Sequence, residues 1–504
     1  MATTNAQMGG SSVMQQRASL NPHVLMERHF NAFLSIPLGI AIGILTSIAS
    51  RLWPSTIPLV ALLIITLSTS LFLMQRCINI LNVKQLTIPG FFYLVYLVMI
   101  FFPSWFIALD KPAPYRNAYL FAVISVLFTV PFGIWIANRV FRFRKNEIRA
   151  FFSKPIEEDK PSYHLRVVLG IFLLGALALV FLYLSEVRTV PLLAVLKNPG
   201  AYYELSQLRE QSFKLLDTRL SYPYFWLRVF FFPFLIMLTL GYYLRTRHKG
   251  WLLFFLVSLG AGTLYAGFSL AKMPVAAIFL MVALFIYVYR SGQIGIRFIL
   301  LALGLIFAFP LFVILTVQYG MGVGLLDAIS GIFRRLFYAP AYVLYYYFEI
   351  FPDQVGYLYG RSIGKLAWLM GWEHFNTANY VYRYLFPSGA ESGLSNAAFI
   401  GNLHADFGLL GVLIGGLFVG FLMQAIQIFI LRRRKTILNL AVYTFLIFAF
   451  WLLNQTALPI VLLSNGVILA LILPWVIRAL ESFFRESTGP WKKKGMAAHV
   501  QRSI

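Results

Sequence analysis

Apolar runs of about 17 to 25 residues recur along nearly the whole chain, near 31–50, 57–75, 88–109, 118–137, 166–186, 223–244, 251–269, 274–289, 298–317, 405–431, 437–454 and 459–478. A bilayer core of about 30 Å needs about 20 apolar residues per helix, so the pattern predicts about twelve transmembrane helices and an all-α, polytopic membrane fold. A polar tail, 1–30, precedes a single transmembrane domain, 31–480, and a basic tail, 481–504, follows it. Two connections are long, 187–222 and 318–404. Loops of that length are usually functional or disordered, and neither has a disordered composition. The first carries an Asn198-Pro199-Gly200 turn and then a helical pattern through Tyr202, Leu205, Leu208, Phe213 and Leu216. The second carries YAPAYVLYYYFEIFPD, GYLYGRSIGKLAWLMGWEHF and NYVYRYLF, which read as short amphipathic or interfacial helices.

Composition agrees with the pattern. The chain is 60% hydrophobic and 12% charged over 504 residues, with a mean hydropathy of +0.76, which excludes a soluble globular protein. The formal net charge of +24 would suggest nucleic acid in a soluble chain, but here it fixes topology. Basic loops follow every second span: Arg76 and Lys84; Arg139, Arg142, Arg144, Lys145 and Arg149; Arg245, Arg247 and Lys249; Arg290 and Arg297; Arg432 to Lys435; and Arg478 with Lys492 to Lys494. The positive-inside rule puts these loops and both termini in the cytoplasm, and both long connections on the outward face. The N-terminal stretch lacks an apolar signal-peptide region. Cys77, the lone cysteine, has no internal disulfide partner. No nucleotide-binding loop, ATPase motif or internal repeat is visible.

Candidate chemistry concentrates between Gln318 and Asp406, ending in GLSNAAFIGNLHADFG. Cations on the outward face run against the topological bias: Arg188, Arg209 and Arg219 in the first loop, and Arg334, Arg335, Arg361, Lys365 and Arg383 in the second. A guanidinium grips phosphate through two parallel donors and keeps its charge when partly desolvated. Pairing with Asp217, Glu204, Glu210, Asp327, Glu349, Asp353 and Glu373 inside folded loops is the competing reading. Lys272, in GFSLAKMPVAAIF, sits near membrane depth, where an ionisable residue suggests function, or snorkels to the interface. Asn396, Asn402, His404 and Asp406 lead into the tenth span, whose lipid-crossing part is expected to begin near Leu409. His404 is a candidate general base, with Asp406 beside it and Glu391 as a rival. Asn402 and Asp406 share a helix face, whereas His404 and Asp406 do not. Gly411/Gly415 and Gly416/Gly420 are two GxxxG pairs that permit close helix packing. No metal-ligand spacing occurs, so no cofactor is expected, and fixed Arg and Lys charge would do the electrostatic work.

The alternating layout, AYYELSQLREQ in the first outward loop, SLAK between spans seven and eight, and SNAAFIGNLHADFGLLGVLIGG after the second loop together resemble the bacterial oligosaccharide repeat-unit polymerases, the O-antigen polymerase (Wzy) class. The resemblance implies a metal-independent glycosyltransferase of the GT-C type in the bacterial inner membrane, active on the periplasmic face. Its donor would be a growing glycan on undecaprenyl diphosphate and its acceptor a repeat unit on the same carrier. It also implies partner proteins that flip repeat units or set chain length, and no nucleic acid. Under it, Arg209 matches the Arg of the family's first outward loop. Lys272 falls where relatives commonly have Arg, and His404 and Asp406 fall where they show a polar or acidic residue before an FG pair. The family's Arg-rich, Gly-terminated loop motif is not matched. An O-antigen ligase shares the donor and the layout, and a lipid-linked oligosaccharide transporter is a rival from another class.

Overall fold

The computed structural model describes most residues between 86 and 487, apart from 145, 158–160, 188, 199–207, 209–217, 291, 293–299, most of 302–324 and 389–392, with a few helical positions between 63 and 70. For Ala113, Thr218, Arg219 and Lys272 only the backbone is described. The chain divides into two compact units, Met1–Leu73 and Met74–Ile504. The second holds all the helices named below.

In chain order these are α1 (Ile88–Leu109), α2 (Ala113–Val140), α3 (Asn146–Ser153), α4 (Tyr163–Glu186), α5 (Pro191–Lys197), α6 (Leu220–Thr246), α7 (Lys249–Gly267), α8 (Lys272–Arg290), α9 (Leu325–Phe333), α10 (Ala339–Ile350), α11 (Gly364–Leu369), α12 (Thr377–Leu385), α13 (Phe399–Leu431), α14 (Ile437–Asn454) and α15 (Ile460–Ser487). Among the described residues, nine helices are long and apolar enough to cross a membrane: α1, α2, α4, α6, α7, α8, α13, α14 and α15. Each coincides with an apolar run of the sequence, and the runs 31–50, 57–75 and 298–317 lie largely outside the described residues. The protein is a multi-pass helical membrane protein.

α14 is the inner post: 94% of its most apolar stretch is buried, against 22% for α4, which has most of its surface left for lipid. Polar side chains tie the helices where lipid offers no hydrogen bond. Gln427 of α13 accepts from the Ile88 amide at 2.8 Å, Gln424 donates to Asn138 of α2 at 2.7 Å, and the Tyr443 hydroxyl donates to the Leu86 carbonyl at 2.7 Å. α2 and α13 approach closely along a row of glycines, backbone to backbone at Gly133 and Gly420 and against the Thr129 side chain at Gly416. Gly133 faces the Leu417 carbonyl, Gly416 faces Thr129, and Gly420 faces the Val130 carbonyl.

Among the described residues four π turns interrupt the helices, and besides Ile460–Ser464 in α15 three share one cause: Leu97–Phe101, Leu227–Phe231 and Arg334–Tyr338. Each ends one residue before a helical segment whose second residue is proline: Pro103, Pro233 and Pro340. Proline has no amide hydrogen and its ring crowds the carbonyl four residues back. The preceding turn therefore widens, and Phe102, Phe232 and Ala339 donate to Leu97, Leu227 and Arg334, five residues back.

The connections gather at two ends. At one, Arg432 pairs with Glu147 at 3.0 Å, buried Lys435 donates to the Phe152 and Lys154 carbonyls at 2.8 and 2.7 Å, and Leu86 donates to Gly292 at 2.9 Å. At the other, the ends of α4 and α7 meet the beginnings of α6 and α15. The Tyr265 hydroxyl donates to the Tyr224 carbonyl at 2.9 Å, and Trp226 donates to Leu463 at 3.3 Å.

A Cβ at position 420 has no room against the α2 backbone, so Gly420→Ala should destabilise the protein by about 1–3 kcal/mol. Gly170→Ala, on an open face of α4, should be neutral or slightly stabilising. Thermal unfolding of the two variants in detergent checks the contrast, and equal melting temperatures would contradict the packing.

Candidate functional site

A helix of 33 residues, as α13 is counted, would be about 50 Å long, well beyond the bilayer core. The chain avoids that by turning at Gly408, whose φ of 65° and ψ of −157° belong to a region essentially open only to glycine. The limb 399–407 folds back, so that Leu403 packs against Gly411 and Gly415 of the following limb, 409–431. The two GxxxG pairs therefore serve different neighbours: Gly411/Gly415 admit Leu403 from the same helix, and Gly416/Gly420 admit α2.

The turn exposes carbonyls that a straight helix would satisfy. Leu358 and Tyr359 donate to the carbonyls of Ala405 and Asp406 at 2.9 and 3.0 Å. The Asp406 carboxylate accepts from the Gly360 and Ser362 amides at 3.1 and 3.2 Å and from the Ser362 hydroxyl. His404, 3% exposed, stacks on Phe348 at 4.0 Å with its edge to Tyr357, and its Nε2–H donates to the Phe351 carbonyl at 3.1 Å. Asn402 donates to Thr377 at 2.8 Å. In this arrangement both side chains are buried and hold the second long connection, Asp406 through its carboxylate and His404 through Nε2, while the His404 Nδ1 has no hydrogen-bond partner. Their side chains do point to different partners, as their spacing of two residues requires.

A second constellation lies where α4, α6, α7 and α15 meet. A cavity of about 420 Å³ is lined by Tyr183, Tyr222, Tyr224, Arg228, Tyr265 and Phe268, among others, with Ser221, Ser269 and Ser464 adding hydroxyls. Aromatic edges build its wall: Tyr183 meets Tyr224 and Tyr265 at 5.4 and 5.5 Å and lies parallel to Phe268 at 6.3 Å. Arg228 sits in the π turn of α6, with its guanidinium 5.4 Å from the Phe225 ring. Around the mouth, the Lys365 ammonium lies 5.6 Å above the Tyr222 ring, and Leu192 of α5 donates to the Phe268 carbonyl at 3.0 Å. The left-handed Leu270 (φ 51°) turns the chain into α8, so the Lys272 backbone starts three residues beyond the cavity-lining Ser269. An arginine, hydroxyls and ring faces in one apolar-walled cavity suit an amphiphile with an anionic, oxygen-rich head.

The remaining described candidates stand apart. Arg361 donates to the Glu373 carbonyl at 3.3 Å. Arg334 and Arg335 are exposed in the π turn before α10, and Arg383 is exposed on α12. Near Arg334, Lys111 donates to the Tyr346 hydroxyl at 3.0 Å and lies over the rings of Tyr342, Tyr345 and Tyr346. α10 differs from the interfacial helix its sequence suggests, since Leu344, Tyr345, Tyr347, Phe348 and Ile350 are buried in the bundle. Glu391, Arg188 and Arg209 lie outside the described residues, and for Arg219 and Lys272 only the backbone is described. Among the described residues no group of three or more His, Cys, Asp or Glu side chains could hold a metal ion. The charge logic passed over Arg228 because it counts loops; an arginine inside the apolar run PYFWLRVFFFPF was itself the signal.

No protein-family model matches the chain, and neither a curated protein nor a solved structure matches it significantly.

Removing the Asp406 carboxylate leaves two loop amides and a hydroxyl unanswered, at about 1–3 kcal/mol for each buried group. Asp406→Ala should therefore loosen 356–375 while the membrane helices stay folded. Limited trypsinolysis is expected to cut at Arg361 and Lys365 faster than in the parent protein; unchanged cutting would show that Asp406 does not hold the loop.

Proposed function

We propose that this chain is an inner-membrane glycosyltransferase that polymerises lipid-linked oligosaccharide repeat units. The growing glycan on undecaprenyl diphosphate is the donor, and the hydroxyl at the non-reducing end of a second carrier-linked repeat unit is the acceptor. The hydroxyl oxygen bonds to the donor's anomeric carbon, the carbon–oxygen bond to diphosphate breaks, and undecaprenyl diphosphate leaves with the bonding pair while the hydroxyl proton passes to a base or solvent. Energy comes from the glycosyl diphosphate bond, so neither nucleotide sugar nor ATP enters.

The observation that carries this reading is the Arg228 cavity. It lies at the end of the bundle shared by the ends of α4 and α7 and the beginnings of α6 and α15, away from the basic end that holds Arg432 and Lys435. The positive-inside rule makes the basic end cytoplasmic and opens the cavity to the outer half of the membrane. A leaving diphosphate gains negative charge, which a fixed guanidinium stabilises best where water is scarce. Ring faces alongside suit sugar.

Purified protein, reconstituted with undecaprenyl-diphosphate-linked repeat units, without nucleotide and with chelator, should produce a ladder of longer glycans. Absence of the ladder from the folded protein overturns the polymerase reading, and a ladder abolished only by chelator overturns its metal independence. Arg228→Ala should lower the rate roughly 10- to 100-fold, the value of a charge-assisted hydrogen bond, with Arg228→Lys recovering only part of it.

A further inference from the structure

The second long connection contains a stiff hairpin with a polar stem and an apolar tip. Its stem is closed by Phe375 donating to the Arg361 carbonyl at 3.0 Å, by His374 Nε2 at 3.2 Å from the Ser362 carbonyl, and by the Asp406 carboxylate holding Ser362. The stem carries Arg361, Lys365, Glu373 and His374. At the tip, Met370 donates to Leu366 at 3.0 Å, Gly371 (φ 68°) reverses the chain, and Trp372 donates back to Ala367 at 2.8 Å. This turn presents Trp368, Leu369, Met370 and Trp372 together, with exposures of 79%, 72%, 53% and 41%. No charged residue lies between Lys365 and Glu373. Four large apolar side chains held outward by backbone hydrogen bonds form the kind of patch that marks an interaction surface.

We infer that the tip, Trp368 to Trp372, docks in the headgroup–acyl boundary of the membrane beside the mouth of the Arg228 cavity. The position of its stem selects lipid as the occupant. Lys365 lies against Tyr222, in the first turn of the membrane-spanning α6, so the hairpin stands at the level where that helix enters the bilayer. Tryptophan at an apolar tip with cations behind it matches the chemistry of that boundary. The hairpin is already ordered by its own hydrogen bonds, so docking requires no folding. Tyr222, at 44% exposure, and Ile460, at 40%, line the cavity at the starts of α6 and α15. A docked tip makes that mouth a lateral portal, through which a lipid-tailed ligand enters without leaving the leaflet. The inference is independent of the reaction proposed above.

The test uses the full chain with its single cysteine replaced, Cys77→Ser, and an NBD fluorophore attached at Leu369→Cys. The protein is reconstituted in vesicles of phosphatidylethanolamine and phosphatidylglycerol. Emission should be blue-shifted, and quenched more strongly by lipids brominated near the headgroup than near the acyl terminus. The same label at Glu373→Cys, on the stem, should emit as in water. Water-like, unquenched emission at position 369 overturns the inference. A blue shift that brominated lipids do not quench also overturns it, because a protein surface or a second copy then covers the tip. Met370→Cys supplies a second reporter should the first variant not yield monodisperse protein, and it must give the same result.

Discussion

The loop-bearing end of the bundle hangs on a backbone reversal at Gly408. A straight α13 would satisfy its own carbonyls and leave the second long connection without an anchor. The turn instead frees the carbonyls of Ala405 and Asp406, which receive the amides of Leu358 and Tyr359. The carboxylate of Asp406, 2% exposed, then takes the amides of Gly360 and Ser362. Buried polar groups left without partners are costly, so the turn and the loop each require the other. A side chain at 408 would meet both a forbidden backbone region and the ring of Tyr357.

Glycine does different work a few residues further on. Gly420 lets α13 touch the α2 backbone and Gly416 leaves room for the Thr129 side chain, a means of association favoured where lipid gives no hydrophobic drive. The span that supports the folded-back limb is thereby fixed to the bundle. The chain of support runs from helix contact to turn, from turn to the 356–375 hairpin, and from the hairpin through Lys365 to the mouth of the Arg228 cavity. Proline contributes at the cavity itself: Pro233 widens the preceding turn of α6, the turn in which Arg228 stands.

This arrangement separates two kinds of polar residue that look alike in sequence. His404 and Asp406 are buried and bond to the second long connection, the carboxylate of Asp406 to Gly360 and Ser362 and the Nε2 of His404 to Phe351, with the His404 Nδ1 left without a partner. Arg228 is surrounded by aromatic residues in the chain and lines a cavity. The distinction turns on what each side chain meets, which depends on elements far away in sequence: Asp406 on Gly360 and Ser362, Arg228 on the faces of α4, α7 and α15.

Membrane spans were legible from the chain alone because burial in lipid demands long, uninterrupted apolar runs, a local property. Helical segments around Tyr342, Lys365 and Tyr382 were legible for a similar reason, as was a boundary near Leu409, where the polar positions cease. The sequence also carried the two GxxxG pairs, but their partners could not be read from it, since Gly415 meets Leu403 only after the chain has folded back. Likewise the burial of α10 and the convergence on Arg228 depend on packing between distant helices. Apolar length is written along the chain, whereas the neighbours of a charged side chain are decided by tertiary contacts.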